Sequence, residues 1–160
     1  MSDANSAAMP RDLGYRMPAE WEPQKAVWFQ WPAKSPYPEQ PNPLHYEMTL
    51  EKTWLLMAWE IHKRLKVCIL ANGKSHQCHI QSTLSYFGFD MNQIEIHVTT
   101  TIDVWHRDTG PIFVNDDNGN QAITSWNFNG WGSYPEHGEE ERHIPGFVAS
   151  VTKLPVFAAP

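Results

Sequence analysis

Cysteine is scarce in this chain of 160 residues: only Cys68 and Cys78 occur. Two cysteines make no disulfide framework here, and both suit a reducing compartment in which each is a small hydrophobe. Basic clusters are absent as well. With 12 Lys and Arg against 18 Asp and Glu, the net charge is -6, which argues against nucleic acid as a partner and in favour of a cationic ligand. No apolar run approaches the ~20 residues that cross a bilayer. The opening "MSDANSAAMPRDLGYR" has neither the basic nor the apolar region of a signal peptide. A cytoplasmic location with no membrane partner and a disordered lead-in over residues 1–14 are therefore expected.

Catalytic and metal-binding patterns are also thin. Cys68 falls in an apolar run, Cys78 in a helical pattern, and no Ser occupies a strained G-x-S-x-G turn, so no nucleophile is visible. The stretch "SHQCH" offers His76, Cys78 and His79. No second ligand pair stands at a zinc spacing, and on a helix His76 and Cys78 point in different directions. A metal is therefore not expected.

Tryptophan and proline are plentiful, at 8 and 13 residues. With 41% hydrophobic and 19% charged residues the composition is globular, and a chain of this length can bury roughly 68–70% of its unfolded surface. Large amphipathic rings fill cores, and they also wall pockets for flat or charged groups.

The pattern along the chain predicts a mixed α/β arrangement. "AVWFQW" (26–31) reads as a buried strand, followed by the proline-rich loop 32–43, which cannot be a helix interior. Residues 44–65 place Trp54, Ala58, Ile61 and Leu65 on one helical face. A strand over 66–71, a helix over 74–87 ending at Gly88, and a strand over 93–100 come next. "PIFVN" and "QAITSW" flank the turn signal "DDNG" and predict a hairpin. The tail "LPVFAAP" breaks off after an apolar start, so the chain is expected to be incomplete.

Two loops could carry chemistry. In "DVWHRDTGPIFV" (103–114) Trp105 and Asp108 stand three residues apart across a tight turn. A carboxylate accepts two parallel N–H bonds from a guanidinium, and an indole face supplies a cation–π surface, so this pair outlines a guanidinium site. An Asp that caps its own turn beside a packing Trp fits the spacing equally well. "WNFNGWG" (126–132) combines two Trp and two Asn with Gly at two positions that suit positive φ or close approach. Aromatic walls with amide donors suit a small-ligand pocket, and an interior corner between sheets has the same composition.

Together with "YRMPAEWEPQKAVWFQWP" (15–32), these motifs closely resemble the N-terminal part of the agmatine deiminases, members of a guanidine-modifying superfamily that includes the peptidyl-arginine deiminases. The resemblance runs from about Tyr15 to the end and covers somewhat under half of a family member. It implies a five-bladed α/β propeller, with about the first two blades, of ββαβ type, present in residues 15–160. By position it assigns Asp108 as the catalytic carboxylate that grips the guanidinium, with Trp105, Trp131 and Asn129 beside it. The family's second acidic residue, its His, a further Asp and its nucleophilic Cys would all lie beyond Pro160, and neither Cys68 nor Cys78 matches the nucleophile. The implied reaction is hydrolysis of agmatine to N-carbamoylputrescine and ammonia through thiolate attack on the guanidinium carbon, on a route to putrescine, without metal or organic cofactor. Where the family often has a charged segment after its first "WP", this chain has "AKSPYPEQPNP", which leaves peptidyl-arginine or another guanidine open as substrate. A catalytically inactive guanidinium-binding or subunit-pairing module is the rival expectation, and the full-length protein could be a homo-oligomer.

Overall fold

The run Lys66–Asn72 (β2) is buried at all its interior positions, from Val67 to Ala71. A strand apolar on both faces belongs in the middle of a parallel sheet. The computed structural model, which describes residues 9–33 and 43–159, places β2 there. β1 (Ala26–Gln30) and β3 (Ile94–Thr99) pair with it on either side, both parallel. Parallel neighbours cannot be joined by a tight turn, and each connection carries a helix: α1 (Pro43–Ile61) before β2 and α2 (Lys74–Tyr86) after it. The sheet follows the expected strand, helix, strand, helix, strand order.

Alternation along the strands sorts the side chains between two faces. Val67, Ile69 and Ala71 of β2 pack with Ile94 of β3, Ala58 of α1, and Ile80 and Leu84 of α2 in one core, with Phe29 and Ile96 against it. On α1, Trp54 and Ile61 pack on that core as their spacing predicts, but the helix stops at Ile61 and Leu65 lies in the following turn. The other face of the sheet carries Trp28, Gln30, Cys68, Glu95 and His97, with Trp28 and His97 stacked at 5.4 Å between ring centroids. Of the proline-rich loop, residues 34–42 lie outside the described residues.

A second sheet has the order β4-β5-β6. β4 (Ile112–Asn115) and β5 (Gln121–Ser125) form the predicted antiparallel hairpin. Asp116 Oδ1 holds its turn by accepting from the backbone N–H groups of Asn118 at 2.9 Å and Asn120 at 2.8 Å. The tail, which reads in the sequence as an interrupted start, supplies β6 (Val156–Ala158), parallel to β5. Its crossover includes α5 (Ile144–Thr152), which contacts β5. Near the other end, Arg16 bridges to Asn115, and its guanidinium takes both oxygens of Glu22 at 2.7 and 3.0 Å. That pairing, with the Ala19 backbone N–H, holds the Glu22 carboxyl at about 2. Of the expected lead-in 1–14, residues 1–8 lie outside the described residues, and Pro10–Leu13 form a 3-10 turn.

The second sheet therefore runs ββαβ, the order that the family resemblance implies for both, whereas the first runs βαβαβ, as its sequence pattern predicts, because two helical crossovers separate its three parallel strands. The chain divides into two compact units: Pro23–Asp108 with Asn129–Glu141, and the described parts of 1–22, 109–128 and 142–160. Two short helices complete the framework, α3 (His106–Thr109) and α4 (Pro135–Glu141). α4 and the segment up to Asp108 belong to the unit that holds the parallel sheet.

Candidate functional site

The segment that follows β3 is fixed by a carboxylate far away in sequence. Glu141, the last residue of α4, is fully buried. Its Oε1 accepts from the backbone N–H groups of Ile102 at 2.6 Å and Asp103 at 3.0 Å, and from the Thr101 hydroxyl at 3.0 Å. Its Oε2 accepts from Gln30 Nε2 at 2.6 Å. Four donors nearly fill the capacity of one carboxylate, and they are charge-assisted bonds in a dry environment. Gln30, also fully buried, adds bonds to the Thr101 hydroxyl at 2.6 Å and the Asp103 carbonyl at 3.2 Å.

The buried Asp103 links this anchor to α4 a second time. Its Oδ2 stands 3.0 Å from His137 Nδ1, which fixes the proton on that nitrogen, and its Oδ1 accepts from Val104 N at 2.7 Å. With the backbone pinned at 101–104, the chain turns through α3. Asp108 N donates to Trp105 O at 2.9 Å, so the turn predicted from the Trp–Asp spacing is present. It leaves the side chains of both Trp105 and Asp108 exposed.

The second aromatic loop meets Asp108 directly. Trp131 Nε1 donates to Asp108 Oδ1 at 3.2 Å. Trp131 has φ +55, with Gly130 at +66 and Gly132 at +75, so three consecutive residues adopt the left-handed conformation. Only glycine takes it without strain, which explains the glycines on both sides of the indole. A Cβ on Gly130 would stand 3.3 Å from Gly138 N of α4. Asn129 Oδ1 accepts from Gly132 N at 3.1 Å, so the oxygen of this expected substrate contact is committed to the turn. The indole of Trp131 also lies against Tyr134 and His137, at 6.5 and 6.0 Å between centroids. Asp108 is exposed, and its carboxylate stands beside an indole that is 43% exposed. A carboxylate next to aromatic surface is suited to a planar cation.

The other candidates separate by environment. His106 Nδ1 lies 3.1 Å from Gln30 Oε1, and burial pushes its imidazole down to about 4; it is a neutral hydrogen-bond donor. Burial pushes the Cys68 thiol up to about 12, well away from a thiolate nucleophile. Of the "SHQCH" group, His76 bonds Asn72 N and Pro32 O, His79 stands 2.8 Å from Glu51 Oε1, and Cys78 is exposed. Another group of possible ligand atoms, on Cys68, Glu95 and His97, lies within 4.8 Å. Glu95 is engaged by Lys66 and the buried thiol is held protonated, so these residues form a poor ready-made metal site. An apolar cleft of about 450 Å³ between α1 and the end of α2, lined by Leu55, Leu56, Trp59, Phe87, Phe89 and the stem of Lys52, offers shape without reactive groups.

Sequence reasoning singles out Trp105, Asp108, Trp131 and Asn129, and the structure brings Trp131 onto Asp108. It misses Gln30, Asp103, His137 and Glu141. "DVWHRD" carries a hint in Asp103, but "EHGEEER" has the look of a solvated charge run.

The model of the Porphyromonas-type peptidyl-arginine deiminase family matches residues 16–160. An agmatine deiminase of Pseudomonas aeruginosa is 32% identical over 132 residues, covering 82% of this chain and 33% of its own length. Among solved structures, agmatine deiminase of Enterococcus faecalis superposes with a TM-score of 0.80 at 20% identity, over 96% of this chain and 40% of its own. The C. jejuni agmatine deiminase gives 0.71 at 21% identity, over 91% and 40%. The chain thus spans between a third and two-fifths of the length of these relatives.

Proposed function

The chain belongs to the family of Porphyromonas-type peptidyl-arginine deiminases, and from that membership we propose that it is the N-terminal part of a hydrolase that deiminates agmatine to N-carbamoylputrescine and ammonia. The observation that carries this reading is the Trp131–Asp108 hydrogen bond, which presents an exposed carboxylate against an indole. In this role Asp108 grips the guanidinium by two parallel N–H bonds, and Trp105 and Trp131 wall its flat faces. Asn129 shapes the loop that carries the indole. The covalent chemistry falls to residues outside this chain, a thiolate nucleophile and a His that protonates the departing ammonia. The frame that goes with this reading is a five-bladed propeller, in a cytoplasmic enzyme that needs no metal or organic cofactor and can pair with copies of itself.

The description of the matching family keeps peptidyl-arginine as the second candidate substrate. The two are separated by assaying a polypeptide of full family length that begins with these residues. Ammonia release from free agmatine and not from an arginine-containing peptide supports the first; the reverse assigns the second. Release from neither substrate leaves the binding-module reading.

A further inference from the structure

Neither half of the proposed grip is held in place by its own loop alone; both are fastened to α4. We infer that Glu141 and His137, which lie behind the exposed carboxylate and indole, are positioning residues that set the Trp131–Asp108 geometry and thereby the affinity for a guanidinium. The inference rests on the reading of Asp108 and Trp131 as the grip.

The connection can be followed atom by atom. Glu141 sits at the end of α4 and pins the backbone at Ile102 and Asp103. From that fixed point the chain reaches Trp105 and Asp108 within one turn, so any slip of the anchor moves the carboxylate. One helical turn earlier, His137 holds the Asp103 carboxylate through Nδ1 and places its ring against Trp131. Gly138 of the same helix packs tightly on Gly130, its N 3.3 Å from where a Cβ would stand, which fixes the start of the left-handed stretch carrying the indole. One short helix therefore aligns the carboxylate through Glu141 and Asp103, and the indole through His137 and Gly138.

This arrangement makes an ordinarily mild change severe. Glu141→Gln keeps the shape but puts an amide NH2 among four donors that require acceptors. His137→Phe keeps a ring against Trp131 but removes the bond to Asp103.

The test uses the indole N–H resonance of Trp131 in a heteronuclear NMR spectrum of a polypeptide of full family length that begins with these residues. Trp131→Phe identifies it, and Asp108→Asn marks its position when the carboxylate is lost. The expected result is that His137→Phe and Glu141→Gln each shift this resonance toward the Asp108→Asn position while the amide signals of β1, β2 and β3 stay in place. Agmatine titrated into the same samples should then bind roughly ten- to a hundredfold more weakly, the equivalent of one charge-assisted hydrogen bond. A folded His137→Phe variant with an unmoved Trp131 resonance overturns the inference, and it decides the matter alone should Glu141→Gln fail to fold. If the resonance moves as described but the unaltered full-length polypeptide takes up no agmatine, the guanidine reading fails and the positioning role stands.

Discussion

Cys68 and Cys78 differ chiefly in burial, and that difference sets their chemistry. A thiol pushed up to about 12 on the interior strand β2 presents almost no thiolate near neutrality. A small alkylating reagent should therefore label the folded chain once, at Cys78, and reach Cys68 only after denaturation; mass spectrometry of the labelled peptides reads this, and rapid native labelling of Cys68 contradicts it. The same logic applies to His106. Burial pushes its imidazole down to about 4, against 6.5 when unfolded, so both states are neutral above pH 6.5. Between 6.5 and 4 the unfolded chain takes up a proton that the folded chain refuses. Stability contributed by the neutral ring is thus present above 6.5 and is lost as the pH falls through this window, by up to about 3 kcal/mol. Urea unfolding at stepped pH should show this loss, and His106→Asn should flatten it. The carboxylate of Glu22 acts in a lower window, because its folded value of about 2 removes stability only below its ordinary 4.5.

At the scale of elements, local signals and distant partners divide the structure between them. β2 is legible because a buried parallel strand reads as one apolar run, and the hairpin is legible because "DDNG" demands a turn. Truncating the middle of that run, Ile69→Ala, should cost about 2–5 kcal/mol by urea unfolding, whereas a cost under ~1 kcal/mol would remove β2 from the core. The helices α3, α4 and α5 and the strand β6 are hard to see in the sequence. α3 and α4 are four and seven residues long, too short for a helical period to establish itself, and β6 is a three-residue strand formed by pairing with β5. Glycine in "WNFNGWG" is the informative local signal, since it marks the left-handed turn that carries Trp131. Gly132→Ala has space for its methyl but strained backbone, which predicts a loss of about 1–2 kcal/mol. Gly130→Ala adds a tight contact with the α4 backbone, 3.3 Å from Gly138 N, and should cost more.

For the molecule as a whole, the sequence yields the exposed face of the candidate site and not its support. Trp105 and Asp108 are three residues apart, joined by a local turn that closes through the Asp108 N–H and the Trp105 carbonyl. Glu141 lies 38 residues from the Asp103 backbone it anchors, so its role exists only once α4 folds back onto the chain after β3. A buried carboxylate that collects four donors is costly to desolvate and strongly destabilising to leave unpaired, and it supports the rigid presentation that a preorganised cation grip requires. The measurement that bears most directly on that grip is kcat/KM for ammonia release from agmatine by a full-length polypeptide carrying these residues, with and without Asp108→Ala. The account predicts a fall of at least roughly a hundredfold, on the scale of about 3–4 kcal/mol of lost transition-state stabilisation. Retention of full activity by the Asp108→Ala enzyme would contradict it.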